Sequence, residues 1–355
     1  MSATTLSRAY GKLLSSTMDK LVAKDKPEDM VFGTDPTLSW LMKHDCFTDG
    51  TDGVKISGPV RYSKNDTAAS VSSMEQVNTA PQDPNTKYFY DRCNYTVQVT
   101  ETKQNVSMNL APSKLYDLVG DLKENAELSL QDLINDNIWR LAGLTTAVTG
   151  NGGKNIISIP MIVNRSDYTG IDIGGIDMSA ETWWAAKGSH ATSLTTTTLL
   201  RTAIRHQLNE AGKLSGGRPD IAITTQQAFE NYVLGLDEKQ VYQNNPKSAT
   251  QDFENVTLCG VPTFWDSHVP DAYTPYDWDN ATRLASPAQE SIYLLNSKFL
   301  KLWYDRNFKF TFSDFQTPHD QPFVLTSSCA FVGQLGTTKR CKHAYIGYIA
   351  TSMTA

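Results

Sequence analysis

Between residues 113 and 142, apolar side chains recur every three or four positions: Leu115, Leu118, Val119, Leu122, Ala126, Leu130, Leu133, Ile134, Ile138 and Leu141. That spacing lays one apolar stripe along an α-helix. Pro112 and Ser113 are start signals and Gly143 is a stop. About 30 residues at 1.5 Å each make a rod of roughly 45 Å, where an ordinary globular helix has only about 11–12 residues. The other side carries Asp117, Asp121, Glu124, Glu127, Asp132 and Asp136 against Lys114, Lys123 and Arg140. Gly120 lies inside the run, where it costs up to about 1 kcal/mol relative to Ala and marks a candidate bending point. Alone, such a helix suits a coiled coil or a bundle equally well; its setting has to decide.

Before it, residues 1–51 hold a modest amphipathic stretch (Leu6, Tyr10, Leu13, Leu14, Met18, Leu21) and then polar, turn-prone sequence. The first 30 residues carry five basic and four acidic side chains, so this is no basic arm for nucleic acid. It has too little apolar surface to fold alone and reads as an arm lying on something else. Residues 52–109 read as a long β-hairpin with a polar tip: a strand-like GVKISGPVRYS, a stretch rich in Ser, Thr, Asn and Gln, then a strand from Lys87 in which Tyr95, Val97 and Val99 alternate with Thr96, Gln98 and Thr100. A lone hairpin is marginal in water, so it should pack on a neighbour.

After the helix come a TGNGGK turn at 149–154, a short apolar strand ISIPMIV, and a Gly- and Thr-rich connection over 166–196 with Trp183 and Trp184. A second helix is expected over 197–213, with Leu199, Leu200, Ala203, Ile204, Leu208 and Ala211 inward. A strand at 220–224, a short helix QQAFENYVLGL, the turn-containing FENVTLCGVPTFWDSHVP, strands SIYLLN and KLWYDRNFKFTF, and two strands around TTKRCKH complete the chain.

Composition narrows the function. The 355 residues are 40% hydrophobic and 20% charged, which is globular rather than disordered. The net charge of −6 argues against a high-affinity nucleic-acid binder, though not against a container wall along which DNA slides. Five cysteines (Cys46, Cys93, Cys259, Cys329, Cys341) show no CxxC spacing and read as free buried thiols, with metal binding the alternative. None of His44, His190, His206, His268, His319 and His343 has metal-binding helical spacing or a nucleophile motif beside it. TGNGGK fails as a phosphate loop because Val148 and Asn155 stand where glycine and Ser or Thr are needed, and DGTDG at 49–53 lacks the acid spacing of a calcium loop. No catalytic, cofactor-binding or metal-binding residue is therefore expected. No secretory signal or membrane span is expected either. The one enzyme-like feature is the loop at 264–279, where Trp265, Tyr273, Tyr276 and Trp278 interleave with Asp266, Asp271, Asp277 and Asp279. Aromatic platforms with paired carboxylates suit a glycan-binding or glycosidase site; packing against a neighbouring subunit is the plainer alternative.

The order of elements carries a resemblance. LQDLINDNIWRLAGLTTAVTGNGG, RPDIAITTQQAFENYVLGLDEKQVYQNN, VTLCGVPTFWDSHVP and SIYLLNSKFLKLWYDRNFKFTF, in that order, resemble successive segments of the major capsid proteins of tailed double-stranded DNA bacteriophages, which have the Hong Kong 97-type fold. The resemblance covers nearly the whole chain. It implies an α+β chain with an N-terminal arm (1–51), an extended β-hairpin loop (52–109), a peripheral domain (110–197 and 311–355) containing the spine helix at 113–142, and an axial domain (198–310). The stretch 271–289 is longer than the usual axial loop. No partner for a covalent Lys–Asn crosslink through Lys55 or Lys64 can be identified.

The implied function is structural: hexamers and pentamers closing into an icosahedral head shell around the DNA, assembled in the host bacterial cytoplasm and located in the virion. Implied partners are copies of the chain, a separate scaffolding protein, a portal, a possible decoration or cement protein, and loosely touched DNA. About 110 residues precede the spine helix, too few for a fused scaffolding domain beside arm and loop. An encapsulin-like nanocompartment shell is the alternative within the same fold.

Overall fold

The computed structural model describes residues 36–44, 46–50, 53–108, 118–140, 153–163, 172–177, 180–189, 194–213, 215–237, 256–269 and 289–354. The expected arm up to 35, the helix start at 112–117, its stop at Gly143, the turn at 149–152 and the loop at 271–279 lie outside the described residues.

The chain forms two compact units, one of Asp35–Asn94, Ile134–Asn307 and Val332–Ala355, the other containing Tyr95–Leu133 and Phe308–Phe331. In chain order the elements are α1 (Pro36–Lys43), β1 (Phe47–Asp49), β2 (Ile56–Arg61), β3 (Asn85–Tyr90), β4 (Cys93–Thr102), α2 (Lys103–Met108), α3 (Leu118–Trp139), α4 (Ile159–Ile162), β5 (Asp172–Ile173), β6 (Ile176–Asp177), β7 (Lys187–Ser189), β8 (Leu194–Thr196), α5 (Thr197–Gly212), β9 (Ile221–Thr224), α6 (Gln226–Asp237), β10 (Val256–Leu258), β11 (Val261–Trp265), β12 (Gln289–Leu295), β13 (Leu300–Tyr304), β14 (Thr311–Phe312), β15 (Val324–Thr337) and β16 (Ala344–Thr354).

The larger unit is built on a seven-stranded sheet in the order β10-β11-β9-β12-β16-β7, with β8 also paired to β16. Every residue of β9 is buried, as its unbroken apolar run requires of a strand covered on both faces. The register Ala222↔Leu294↔Ala344 points one row of side chains at α5 and α6, where Leu200, Ile204, Leu208, Ala228 and Tyr232 complete the core. The alternate row, Ile223↔Tyr293↔Tyr345, faces the other way, and Tyr293 meets the edge of Trp139 of α3 at 5.1 Å. Burial of Leu200 and Ile204 contributes roughly 1.5–3 kcal/mol each. The Thr196 hydroxyl caps α5 by accepting from the Leu199 amide at 3.3 Å. Leu199 itself is 47% exposed, so the inward stripe expected for this helix loses that member. Between β10 and β11 a two-residue turn has φ +53° at Cys259 and +87° at Gly260, the primed geometry that matches strand twist.

In the same unit β1 runs parallel to β13, which pairs antiparallel with residues 333–337 of β15. The two strands flanking TTKRCKH do not pair with each other: β15 joins β13, while β16 joins β12 in the seven-stranded sheet. The C-terminal strand thus shares a sheet with β9 and β12.

In the smaller unit β14 pairs with residues 329–330 of β15. Phe310 stacks on Phe331 at 4.9 Å, and the Lys123 ammonium of α3 sits over the rings of Phe312 and Phe315 at 5.5 and 5.1 Å.

Several sequence expectations need correction. The hairpin is narrower than 52–109: β2 pairs with β3 from Ile56↔Tyr90 to Arg61↔Asn85, and the alternating β4 pairs with β15 instead. ISIPMIV is not a strand. Its centre is the fully buried single-turn helix α4, with Pro160 in its first turn and the carbonyls of Met161 and Ile162 accepting from the Arg340 guanidinium at 3.1 and 2.7 Å. KLWYDRNFKFTF is broken by a 3₁₀ turn at Arg306–Phe308 and by Phe310 at φ +48°. Helix α3 ends at Trp139, before the expected 142. Its apolar stripe holds at Ala126, Leu130, Ile134 and Ile138, but Leu133 is 44% exposed while Asn135 and Asn137 are buried. The C-terminal turn is enclosed on most sides, so burial there no longer follows polarity.

Candidate interaction surfaces

The β2–β3 hairpin grades from buried root to exposed tip. Ile56, Tyr88 and Tyr90 are buried at the root, and none of residues 61–85 is. The Tyr90 hydroxyl donates to the Thr337 carbonyl at 2.8 Å and accepts from its amide at 3.2 Å, with its ring 5.4 Å from that of Trp303. The Phe89 amide donates to the Gly174 carbonyl, and Tyr62 stacks on Trp183 at 5.6 Å. Gly174 and Trp183 therefore support the hairpin from within the chain.

Beyond Tyr62 the tip holds itself by short-range bonds. Asn65 accepts from the Thr67 amide and hydroxyl at 2.9 and 2.7 Å, Glu75 from the Ser72 amide at 3.0 Å, and Asn78 from the Ala80 amide at 3.0 Å. Val71, Met74 and Val77 are 48%, 98% and 58% exposed. Such a tip offers apolar side chains on a backbone pinned at Asn65, Glu75 and Asn78, a surface suited to covering by another molecule.

At the root lies a cleft of about 710 Å³ lined by Asp49, Lys55, Ile56, Trp303 and Arg306 among others. Ion pairs frame it: Lys55–Asp91 at 3.0 Å and Arg306–Asp49 at 3.2 Å, while Arg92 reaches Asp305 at 3.4 Å nearby. The two more exposed pairs each contribute under about 1 kcal/mol and fix direction more than stability.

Two buried polar clusters hold the larger unit. In the first, the Asp266 carboxylate accepts from the Thr37 amide at 3.2 Å, from the Thr37 hydroxyl, and from the His268 amide at 2.9 Å. With its proton on Nδ1, His268 also donates to the carboxylate at 3.1 Å, the Asn135 side-chain amide nitrogen lying 2.9 Å from the same ring atom, and Trp139 Nε1 donates to the Thr37 hydroxyl at 3.2 Å. Burial pushes the Asp266 carboxyl up, but the bonds from His268 and Thr37 outweigh it and hold the group below the usual aspartate range. In the second cluster Arg340, Lys342 and His343 are fully buried. Lys342 donates to the Ala211 carbonyl at 2.7 Å, and His343 bonds the Thr337 hydroxyl at 2.9 Å and the Asn296 amide at 3.2 Å. Burial, aided by the Arg340 charge, pushes His343 down to about 3, so it is neutral in the fold; burial also pushes Arg340 down to about 10.

These clusters recast the one enzyme-like loop. Trp265 is 36% exposed, but Asp266 is buried and occupied in tying α1 to the end of β11, so it is no open carboxylate for a sugar. Asp271, Tyr273, Tyr276, Asp277, Trp278 and Asp279 lie outside the described residues. Of the histidines, His268 and His343 belong to the clusters, His206 and His319 lie near Glu210 and Asp320, His44 bonds the Trp40 carbonyl, and His190 is outside the described residues. Among the described residues no group of three His, Cys, Asp or Glu side chains is placed to hold a metal, and no helix is long and apolar enough to cross a membrane. Thr37, Asp266, Arg340 and His343 carry no local sequence signal, since their partners stand up to 229 positions away.

No family model and no curated protein sequence matches this chain. Solved structures do. The capsid asymmetric unit of cyanophage A-1(L) aligns with a TM-score of 0.58 at 14% identity, over 94% of this chain and 98% of that one. The holo-SrpI encapsulin complex from Synechococcus elongatus aligns at 0.56 and 10% identity, over 96% and 97%. The capsid of Myoviridae phage XM1 aligns at 0.55 and 9%, over 92% and 96%. At such identities the likeness is one of fold. The chain has the Hong Kong 97-type shell fold over nearly its whole length, an α+β architecture.

Proposed function

We propose that this chain is the major capsid protein of a tailed double-stranded DNA bacteriophage, a non-enzymatic subunit that assembles as hexamers and pentamers into the icosahedral head. The observation that carries the reading is the pairing of a full-length shell fold with a hairpin whose tip bonds to itself and exposes Val71, Met74 and Val77. Identical contacts repeated around symmetry axes close a shell, and many weak contacts acting together give it strength. In this reading 1–51 is the arm, the hairpin is the extended loop, α3 is the spine, and the α5–α6 side of the seven-stranded sheet belongs to the axial domain. Scaffolding protein, portal and any decoration protein are the partners such a head requires, the host cytoplasm is where it assembles, and the virion is where it resides.

Electron microscopy of the purified protein tests this. Closed polyhedral particles are expected; a monodisperse monomer under all assembly conditions would contradict it. The encapsulin fold match supports a second reading, a nanocompartment shell. The contents of particles purified from their native source separate the two: a DNA genome for the first, a cargo enzyme for the second.

A further inference from the structure

Helix α5 buries one face in the core and, among the described residues, leaves the other exposed. On that outer face Thr198, Arg201, Thr202, Arg205, His206 and Asn209 line a groove of about 430 Å³. Arg201 and Arg205 stand one helical turn apart, about 6 Å along the axis. Like charges at this spacing destabilise a helix by about 0.2–0.5 kcal/mol. Among the described residues neither guanidinium has a carboxylate within ion-pair distance. By contrast Arg92 and Arg306 of the same unit each meet an aspartate. Glu210, next to the groove residue Asn209, is drawn to Lys213 and His206, and those contacts hold its carboxyl below the usual range.

We infer that this face of α5 is where the protein touches the phosphate backbone of double-stranded DNA. The inference rests on the capsid reading, which puts DNA inside the shell, and it names the surface that meets it. Charge complementarity favours this occupant: a chain of net charge −6 gathers two arginines, a histidine, two threonines and an asparagine here with no carboxylate among the lining residues. These are side-chain types that bond phosphate oxygens without reading sequence. The groove lacks the large apolar anchor that a protein partner would need as a hot spot. Packing of Leu200, Ile204 and Leu208 in the core anchors α5, so Arg201 and Arg205 project from one fixed helix face. Two contacts per subunit make a weak grip, which suits a wall that must let DNA move and still hold it over many copies.

The test is fluorescence anisotropy of a labelled DNA duplex with the full-length, unassembled protein across about 50–200 mM salt. The double variant R201Q/R205Q should bind roughly tenfold more weakly at low salt, and its log–log salt slope should fall by about 1.8, the loss of two phosphate contacts. R201K/R205K, which keeps the charge, should retain most of the binding, and matched melting curves establish that both variants fold. Equal binding by the parent and R201Q/R205Q overturns the inference. So does unchanged DNA binding with loss of shells in R201Q/R205Q, which would assign this face and the neighbouring Leu199 to a second copy. Microscopy of the parent reads the capsid proposal separately: parent shells without DNA binding sink only this inference, and absence of parent shells sinks the capsid reading.

Discussion

The carboxylate of Asp266 accepts hydrogen bonds from both the backbone amide and the hydroxyl of Thr37, 229 positions earlier in the chain. The contact ties α1 to the end of β11, and Trp139 of α3 bonds the same hydroxyl. Replacing Asp266 by Ala leaves those buried donors without their acceptor. Asp266→Ala is expected to lower stability by about 3 kcal/mol and Thr37→Val by about 1–2 kcal/mol in denaturant titrations. Because the folded carboxyl titrates below its unfolded range, its contribution is present above about pH 4 and disappears as pH falls through the folded value. Unchanged midpoints in both variants would mean the cluster has no structural role.

His343 gives a second pH effect with a higher onset. Its folded value of about 3 lies below the ordinary histidine value, so between the two the unfolded chain binds a proton that the folded one does not. Stability is full above about pH 6.5 and falls as acid is added, by about 2 kcal/mol at pH 5 from this group. His343→Gln should remove that increment. Identical losses in parent and variant between pH 7.5 and 5 would contradict the burial argument.

On α3, neighbouring residues should behave oppositely. Leu130 is 1% exposed, and Leu130→Ala should cost about 2–5 kcal/mol. Leu133, at 44% exposure, should accept Asp with a loss near 1 kcal/mol and leave a folded subunit. Thermal melting decides. Unfolding of the Leu133→Asp variant would show that its exposed edge is needed within the monomer.

Deletion of 63–83 spares the buried root, including Tyr88 and Tyr90. Under the capsid proposal the product should melt like the parent and fail to close shells, read by microscopy beside calorimetry. Normal particles from this deletion would remove the hairpin tip from the assembly contacts.

Periodicity made much of the fold legible. The cores of α3 and α5, the buried run of β9 and the hairpin at 56–90 all follow from spacing that local chemistry imposes. The failures share a cause. ISIPMIV has the composition of a strand, but Arg340, far along the chain, donates to the buried carbonyls at the end of a helical turn there. Tyr95, Val97 and Val99 announce a strand without naming its partner, which is β15. Leu133 and Leu199 continue helical stripes into solvent because a stripe read from sequence does not say how wide the covering surface is. The Asp266 and His343 clusters were illegible for the same reason: a buried polar residue is defined by partners that only the fold brings near.

The hairpin tip has a consequence for how this chain can change over generations. Its backbone makes only a few short-range bonds, and none of its side chains is buried, so substitutions between 63 and 83 are nearly invisible to folding. Under the capsid proposal they would be judged only by the neighbouring copy. A lineage could then retune shell size or partner choice here by drift in one exposed segment, while the sheet and spine stay under a separate and stricter constraint.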